Sequence, residues 1–272
     1  MFHNFGVKMD EIIRYMLRED EGFGDITSNA LIPENKIFYA KLITKDDGIL
    51  AGIEIISSKK DGDEISKGDI LLEIEGNARK ILLLERTALN LLMRMSGVAS
   101  VTNRIVSKVH DVNPNIRVAG TRKTAPALQK YDKLAISIGG GDPHRSALDD
   151  MILIKDNHIA VVGSVKKALE LAKENNSFSK KIEIEVESTE DAIIACENGA
   201  DIVMFDNMSP EEAKNTLNAL EEKDLRKDVL IEISGGITED NILDYAPLDV
   251  DIISLGSITH QASSLNFSLD MD

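Results

Sequence analysis

The sequence predicts an α/β protein of two domains, the second of them a parallel β/α barrel. Three observations predict it. From residue 116 onward, short apolar runs alternate with amphipathic helical stretches, the rhythm of parallel strands covered on both faces. Polar residues stand where most of those runs stop, and barrel folds keep their chemistry at the C-terminal ends of strands. Before residue 116 the rhythm differs, with short strands and turns crowded ahead of one long helical stretch. The expected division is an α/β sandwich with its linking helices over 1–110 and the barrel over 111–272. Part of a C-terminal helix is allowed to return to the first domain.

Composition narrows the class further. Of the 272 residues, 43% are hydrophobic and 29% charged, enough apolar mass for a substantial core. A formal net charge of −16 argues against nucleic acid as a partner, because phosphate backbones require a broad basic footprint. The single cysteine, Cys196, lies on what reads as a buried helix face. It excludes an intramolecular disulfide and a cysteine-cluster metal site. No apolar run approaches the ~20 residues that span a bilayer, and MFHNFGVKMDE lacks a signal-peptide core. The expectation is a cytoplasmic protein with no membrane partner.

Residues 8–19 place Ile12, Ile13, Met16 and Leu17 at helical spacing. EDEGFGDITS ends that helix, with Asp25 or Thr27 able to cap the next. Strands are expected over 37–45 and 48–56, then in the next stretch, punctuated by DGD and KGD. This pattern resembles the barrel-sandwich hammerhead of lipoyl and biotinyl carrier domains. Lys67 sits in a plain SKGD turn, so the likeness is read as architecture and not as a modified lysine. Residues 85–110 form the longest helical pattern, with Leu89, Leu92, Met93 and Ile105 apolar. Gly97 is expected to break it or to mark close packing between two helices.

The barrel strands are predicted at 116–120, 134–138, 151–155, 181–187, 201–206, 229–234 and 251–256. Helical patterns at 163–174, 189–198, 209–222 and 239–244 separate the later ones. The residues at the strand ends are chemically specific. Arg122, Lys123, His144, Arg145, Lys155 and His158 gather between Gly120 and His158 of an otherwise acidic chain. Such a concentration of cations beside apolar runs and a GGG turn reads as an anion site. Ser234–Gly236 and Gly256–Ser257 free backbone N–H groups for a phosphate, the usual task of the last loops in such barrels. Glu185 and Asp206, on adjacent strand ends, suit ribose hydroxyls or a magnesium ion. The cations outnumber what one monophosphate needs, so a second, multiply anionic ligand is expected.

These elements occur together in one known family. EDEGFGDIT, ERTALNLLMRMSGVAS, TRKTAPAL, GGGDPHR, LIKDNHI, IEVES, FDN, SGGI and SLGSITH follow one another over nearly all of residues 15–260. In this the chain closely resembles quinolinate phosphoribosyltransferase, the decarboxylating enzyme also called nicotinate-nucleotide pyrophosphorylase. The resemblance implies the type II phosphoribosyltransferase fold, an N-terminal α/β sandwich with an incomplete, seven-stranded α/β barrel. It implies transfer of phosphoribosyl from phosphoribosyl pyrophosphate to quinolinate, with magnesium required, giving nicotinate mononucleotide, pyrophosphate and carbon dioxide in NAD biosynthesis. It implies a homodimer with shared sites, in some members assembled into a hexamer.

Carried over by motif, Arg122, His144, Arg145 and Lys155 would hold the quinolinate carboxylates, and Arg86 would reach in from another subunit. Lys123 would face the phosphoribosyl pyrophosphate. Glu185 and Asp206 would hold ribose or magnesium, and Ser234, Gly235, Gly236, Gly256 and Ser257 the 5′-phosphate. Lys123, Lys155, Glu185 and Asp206 would form the catalytic set. The sequence departs from the family in Gly120 before TRKT, in Pro143 before the His-Arg pair, and in a helix-and-strand-sized segment missing after SSKK. The rival readings are a phosphoribosyltransferase for nicotinate or another aromatic acid, and a non-catalytic phosphosugar-binding protein on the same fold.

Overall fold

A computed structural model describes residues 10–53 and 59–271. They fall into two compact units, one of residues 1–100 with 263–272 and one of residues 101–262.

The first unit opens with α1 (Glu11–Glu21) and α2 (Ile26–Leu31), capped by the side chains of Asp10 and Asp25. Strands β1 (Ile37–Thr44), β2 (Gly48–Ile49), β3 (Glu64–Ile65) and β4 (Ile70–Asn77) come next. The strand expected over 48–56 is observed only as β2, and its last residues, 54–56, lie outside those described. Helix α3 (Ala78–His110) then runs unbroken. Gly97 does not interrupt it. A Cβ there would meet the backbone of Ser263 and Ser264, with the Ser263 carbonyl carbon at 3.0 Å. The glycine therefore serves close packing against an extended segment, not against a second helix.

The barrel unit alternates β5 (Arg117–Gly120), α4 (Gln129–Ile138), β6 (Ile152–Ile154), α5 (Asp156–Val162) and α6 (Val165–Asn175). It continues through β7 (Ile182–Val186), α7 (Thr189–Glu197), β8 (Ile202–Asp206) and α8 (Pro210–Glu222). It ends with β9 (Leu230–Ser234), α9 (Ile242–Tyr245), β10 (Ile252–Leu255) and α10 (Ser257–His260). The parallel six-stranded sheet has the order β5-β10-β9-β8-β7-β6, so the expected architecture holds with one element corrected. LAISI, predicted as a strand over 134–138, lies in helix α4, where Tyr131, Ala135 and Ile136 form its buried face. Five apolar residues in a row do not distinguish a buried strand from one side of a helix. Beyond β5 the sheet continues only as a parallel bridge from Ala119 to Asp142.

The chain end also differs from expectation. Residues 267–271 form strand β11 (Phe267–Met271), not a helix, and pair antiparallel with β1 to give the order β11-β1-β4. The last residues thus belong to the first unit, because their alternating apolar side chains complete its core of Leu42, Leu50, Ile65, Leu71, Leu89 and Phe267. The division falls after Ser100, within α3, and not at 110. Cys196 is half-buried in α7, whose fully covered positions are Ala192 and Ala195.

Candidate active site

Because the strands are parallel, their C-terminal ends share one rim of the barrel unit. After β5 the chain turns through Thr121, Arg122 and Lys123, and the Asp132 carboxylate pins this loop by accepting the Ala125 N–H at 3.1 Å. The GGGDPHR segment is held just as firmly. Asp142 exchanges backbone hydrogen bonds with β5, and its carboxylate accepts the His144 N–H at 2.7 Å. The buried Lys133 Nζ donates to the Pro143 carbonyl. Burial pushes the Lys133 ammonium down to about 8, offset in part by Asp142. His144 sits at φ +53, a left-handed conformation that histidine tolerates better than most residues. Two of the three departures from the family, Gly120 and Pro143, are absorbed here. Pro143 contributes only its carbonyl, and at Gly120 any side chain would run into Ile136.

Arg145 comes next at 9% exposure, and Arg122 lies exposed. Among the described residues neither guanidinium has an ion-pair partner. Burial, and then the charge of Arg122, make Arg145 less basic than usual, yet a guanidinium stays charged in a protein. Two close cations, one of them largely buried, call for an anion from outside the chain.

Lys155 follows β6 directly as the N-cap residue of α5. His158 Nδ1 accepts the Lys155 backbone N–H at 2.9 Å, so the histidine of the KDNH motif is a cap that orients the lysine. Lys155 Nζ is paired with Glu185 on neighbouring β7. Burial raises the Glu185 carboxyl above its ordinary range, against the hydrogen bond from Lys155. Asp206, at the end of β8, is likewise raised by burial and lowered by the charges of Lys155 and Lys123.

Glycines shape the opposite end. Gly235 and Gly236 succeed β9 at φ +88 and +64. A Cβ on Gly235 would lie 2.7 Å from the Asn207 backbone nitrogen, which donates to the Ser234 carbonyl at 2.9 Å. Gly256 leaves room for the Lys123 stem, whose Cδ would be 2.9 Å from an added Cβ. Thr259 Oγ1 donates to the Lys123 carbonyl at 2.6 Å. Ser257 Oγ is buried with no partner among the described residues, an arrangement that suits an incoming oxyanion.

Sequence reasoning misses a buried pair, Glu183 on β7 and Glu232 on β9, both fully enclosed. His144 Nε2 lies 3.0 Å from Glu232 Oε2 and 3.6 Å from Glu183 Oε2. Burial and the charge of Glu232 push Glu183 up to about 8. Burial would lower the imidazole pKa, but the hydrogen bond and charge of Glu232 and the charge of Glu183 hold it above its usual value. A glutamate two positions before each rim residue, Glu185 and Ser234, is the available signal, since such residues share a strand face.

The domain descriptions of quinolinate phosphoribosyl transferase match residues 25–96 (N-terminal domain) and 98–270 (C-terminal domain). A protein of Methanothermobacter thermautotrophicus, described as a probable nicotinate-nucleotide pyrophosphorylase (carboxylating), is 48% identical over 97% of this chain and 99% of its own. The human nicotinate-nucleotide pyrophosphorylase (carboxylating) is 35% identical over 97% and 92%. The crystal structure of NadC from Streptococcus pyogenes superposes with a TM-score of 0.89 at 37% identity, covering 97% of this chain and 96% of its own. This chain belongs to the quinolinate phosphoribosyltransferase family.

The family site expected from sequence is brought together in the barrel unit with one exception. Arg86 lies in the first unit, on α3, with Glu85 at 3.8 Å as its ion-pair neighbour. Glu185 and Asp206 are hard oxygen donors on neighbouring strands, the ligand type magnesium takes, and Lys155 already engages one Glu185 oxygen. The donor set fits a cation held by few protein oxygens, with water or phosphate completing its shell. No described helix is long and apolar enough to cross a membrane.

Proposed function

We infer that this chain transfers the phosphoribosyl group of phosphoribosyl pyrophosphate to quinolinate and releases carbon dioxide, giving nicotinate mononucleotide and pyrophosphate for NAD biosynthesis in the cytoplasm. The observation that carries the reading is the pair Arg122 and Arg145, cations without an ion-pair partner among the described residues, beside His144 and Lys155. A dicarboxylate satisfies that set, whereas nicotinate, with one carboxylate, leaves part of it unpaired.

The residues divide the chemistry. Arg122, Arg145, His144 and Lys155 clamp the acceptor so that its ring nitrogen faces the ribose carbon. The nitrogen lone pair forms the new C–N bond as the C–O bond to pyrophosphate breaks. Glu185 and Asp206 stabilise positive charge developing on the ribose. Ser234–Gly236 and Gly256–Ser257 hold the 5′-phosphate, and Lys123 the pyrophosphate side. When bound at Glu185 and Asp206, magnesium supplies charge that stabilises the departing pyrophosphate. The electron pair left as carbon dioxide departs is stabilised by Lys155 or Lys123 and then takes a proton from water.

The site is completed by Arg86 of a second subunit in a homodimer or larger ring. Arg86→Ala mixed with Lys155→Ala then recovers part of the activity through hybrid dimers, and no recovery would argue for sites within single subunits. The reaction itself is tested by supplying phosphoribosyl pyrophosphate, magnesium and either quinolinate or nicotinate while monitoring nicotinate mononucleotide and carbon dioxide. Turnover with nicotinate alone would overturn the reading.

A further inference from the structure

Glu232 and Glu183 are fully buried, yet Glu232 Oε1 and both Glu183 side-chain oxygens have no hydrogen-bond partner among the described residues. Leaving buried carboxyl oxygens unpartnered is costly, so a fold that keeps two such residues side by side uses them. The group they face is His144, whose ring reaches these two carboxyls through Nε2. No described residue hydrogen-bonds Nδ1, and 12% of the side chain remains exposed. The backbone of the same residue is fixed from two directions, by Asp142 at its N–H and by Lys133 at the preceding carbonyl.

We propose that Glu232 is the positioning residue for His144, accepting the Nε2 hydrogen bond so that the ring offers Nδ1–H to a carboxylate of the acceptor. Glu183 is the second, more distant support. The assignment rests on reading the site as a quinolinate site. Donor arithmetic leads to it. An imidazole whose Nε2 proton is committed to a buried carboxyl can donate to a ligand only through Nδ1, and does so as the imidazolium. The titratable groups facing the ring are Glu232 from β9, Glu183 from β7 and Lys133 from α4. The two carboxyls favour the imidazolium and the lysine opposes it.

The test is a double-mutant cycle read in the two Michaelis constants. Glu232→Gln keeps the side-chain shape but weakens the bond to Nε2. It raises KM for quinolinate by about 10- to 100-fold, the cost of a charge-assisted hydrogen bond, with KM for phosphoribosyl pyrophosphate within about twofold. In a His144→Ala background the same substitution changes KM for quinolinate less than about twofold, because the partner is already gone. Equal changes in both constants, or additive effects of the two substitutions, would overturn the proposal.

Should Glu232→Gln not fold, the ring nitrogen shifts of His144 in the wild-type chain decide, assigned by their loss in His144→Ala. Protonated Nε2 near neutral pH is expected, and bare Nε2 sinks the idea. So does a stoichiometric metal ion in the purified protein that disappears with His144→Ala, since the ring would then be a ligand. If the wild type does not turn over quinolinate, the functional reading fails first, and the nitrogen shifts still test the His144–Glu232 pair.

Discussion

Lys155 and Glu185 form an ion pair across the ends of neighbouring strands β6 and β7. A cation assigned to the acceptor and a carboxylate assigned to the ribose therefore hold one another. Lys155→Ala removes the group that opposes the burial-driven rise of the Glu185 pKa. The acid limb of the kcat/KM profile then moves to higher pH, and kcat/KM at its optimum falls at least about 10-fold. An unmoved acid limb would separate Glu185 from the pH dependence.

Arg145 is a largely buried cation without an ion-pair partner among the described residues. Arg145→Ala raises KM for quinolinate about 100-fold, and Arg145→Lys does not restore it, because an ammonium cannot reproduce a two-pronged guanidinium contact. The melting temperature is unchanged or higher, since the desolvation of a largely buried charge and its repulsion by Arg122 are relieved. A marked loss of stability in Arg145→Ala would show that the residue serves the fold instead.

Gly235 leaves space for the Asn207 backbone. Gly235→Ala brings a Cβ against it in a backbone conformation that already disfavours side chains. The expected result is at least about a 10-fold rise in KM for phosphoribosyl pyrophosphate, with KM for quinolinate little changed. A reversed pattern would move the 5′-phosphate away from this loop.

Glu239 accepts both 2.7 Å hydrogen bonds of Arg104 and one of 2.6 Å from Lys108. Arg104 first, and then Lys108, hold its carboxyl down at about 2, below the ordinary 4.5. Because the folded-state value is depressed, the stabilisation is complete above the ordinary value and fades as pH falls toward 2. With Arg104 half-exposed the effect is screened to about 1 kcal/mol. Chemical denaturation of wild type and Glu239→Gln should differ by that amount at neutral pH and converge near pH 2. A difference that persists in acid would remove the ionic explanation.

Much of this site is legible in the sequence. TRKT, KDNH, the Glu185–Asp206 pair and the SGG and GS turns lie at strand ends, where the local rhythm of apolar runs and turns marks the boundaries, whereas the His144–Arg145 pair follows helix α4 and the bridge at Asp142. The helical nature of 134–138 is not legible, since LAISI satisfies both a strand and one face of a helix until Tyr131 and the barrel wall are present. The return of residues 267–271 to β1 is hidden for a related reason, as strand partners far apart in sequence leave no local signature.

The sequence by itself determined the family, the β/α rhythm and the residue types gathered at the strand ends, because each is written in short windows of chain. Only the tertiary structure decided how those side chains are held. Nothing local to residue 144 indicates that its imidazole faces Glu183 and Glu232, contributed by two other strands. A buried charge finds its partners through space, and the spacing of strands around a barrel, not their order along the chain, sets which carboxyl reaches which ring.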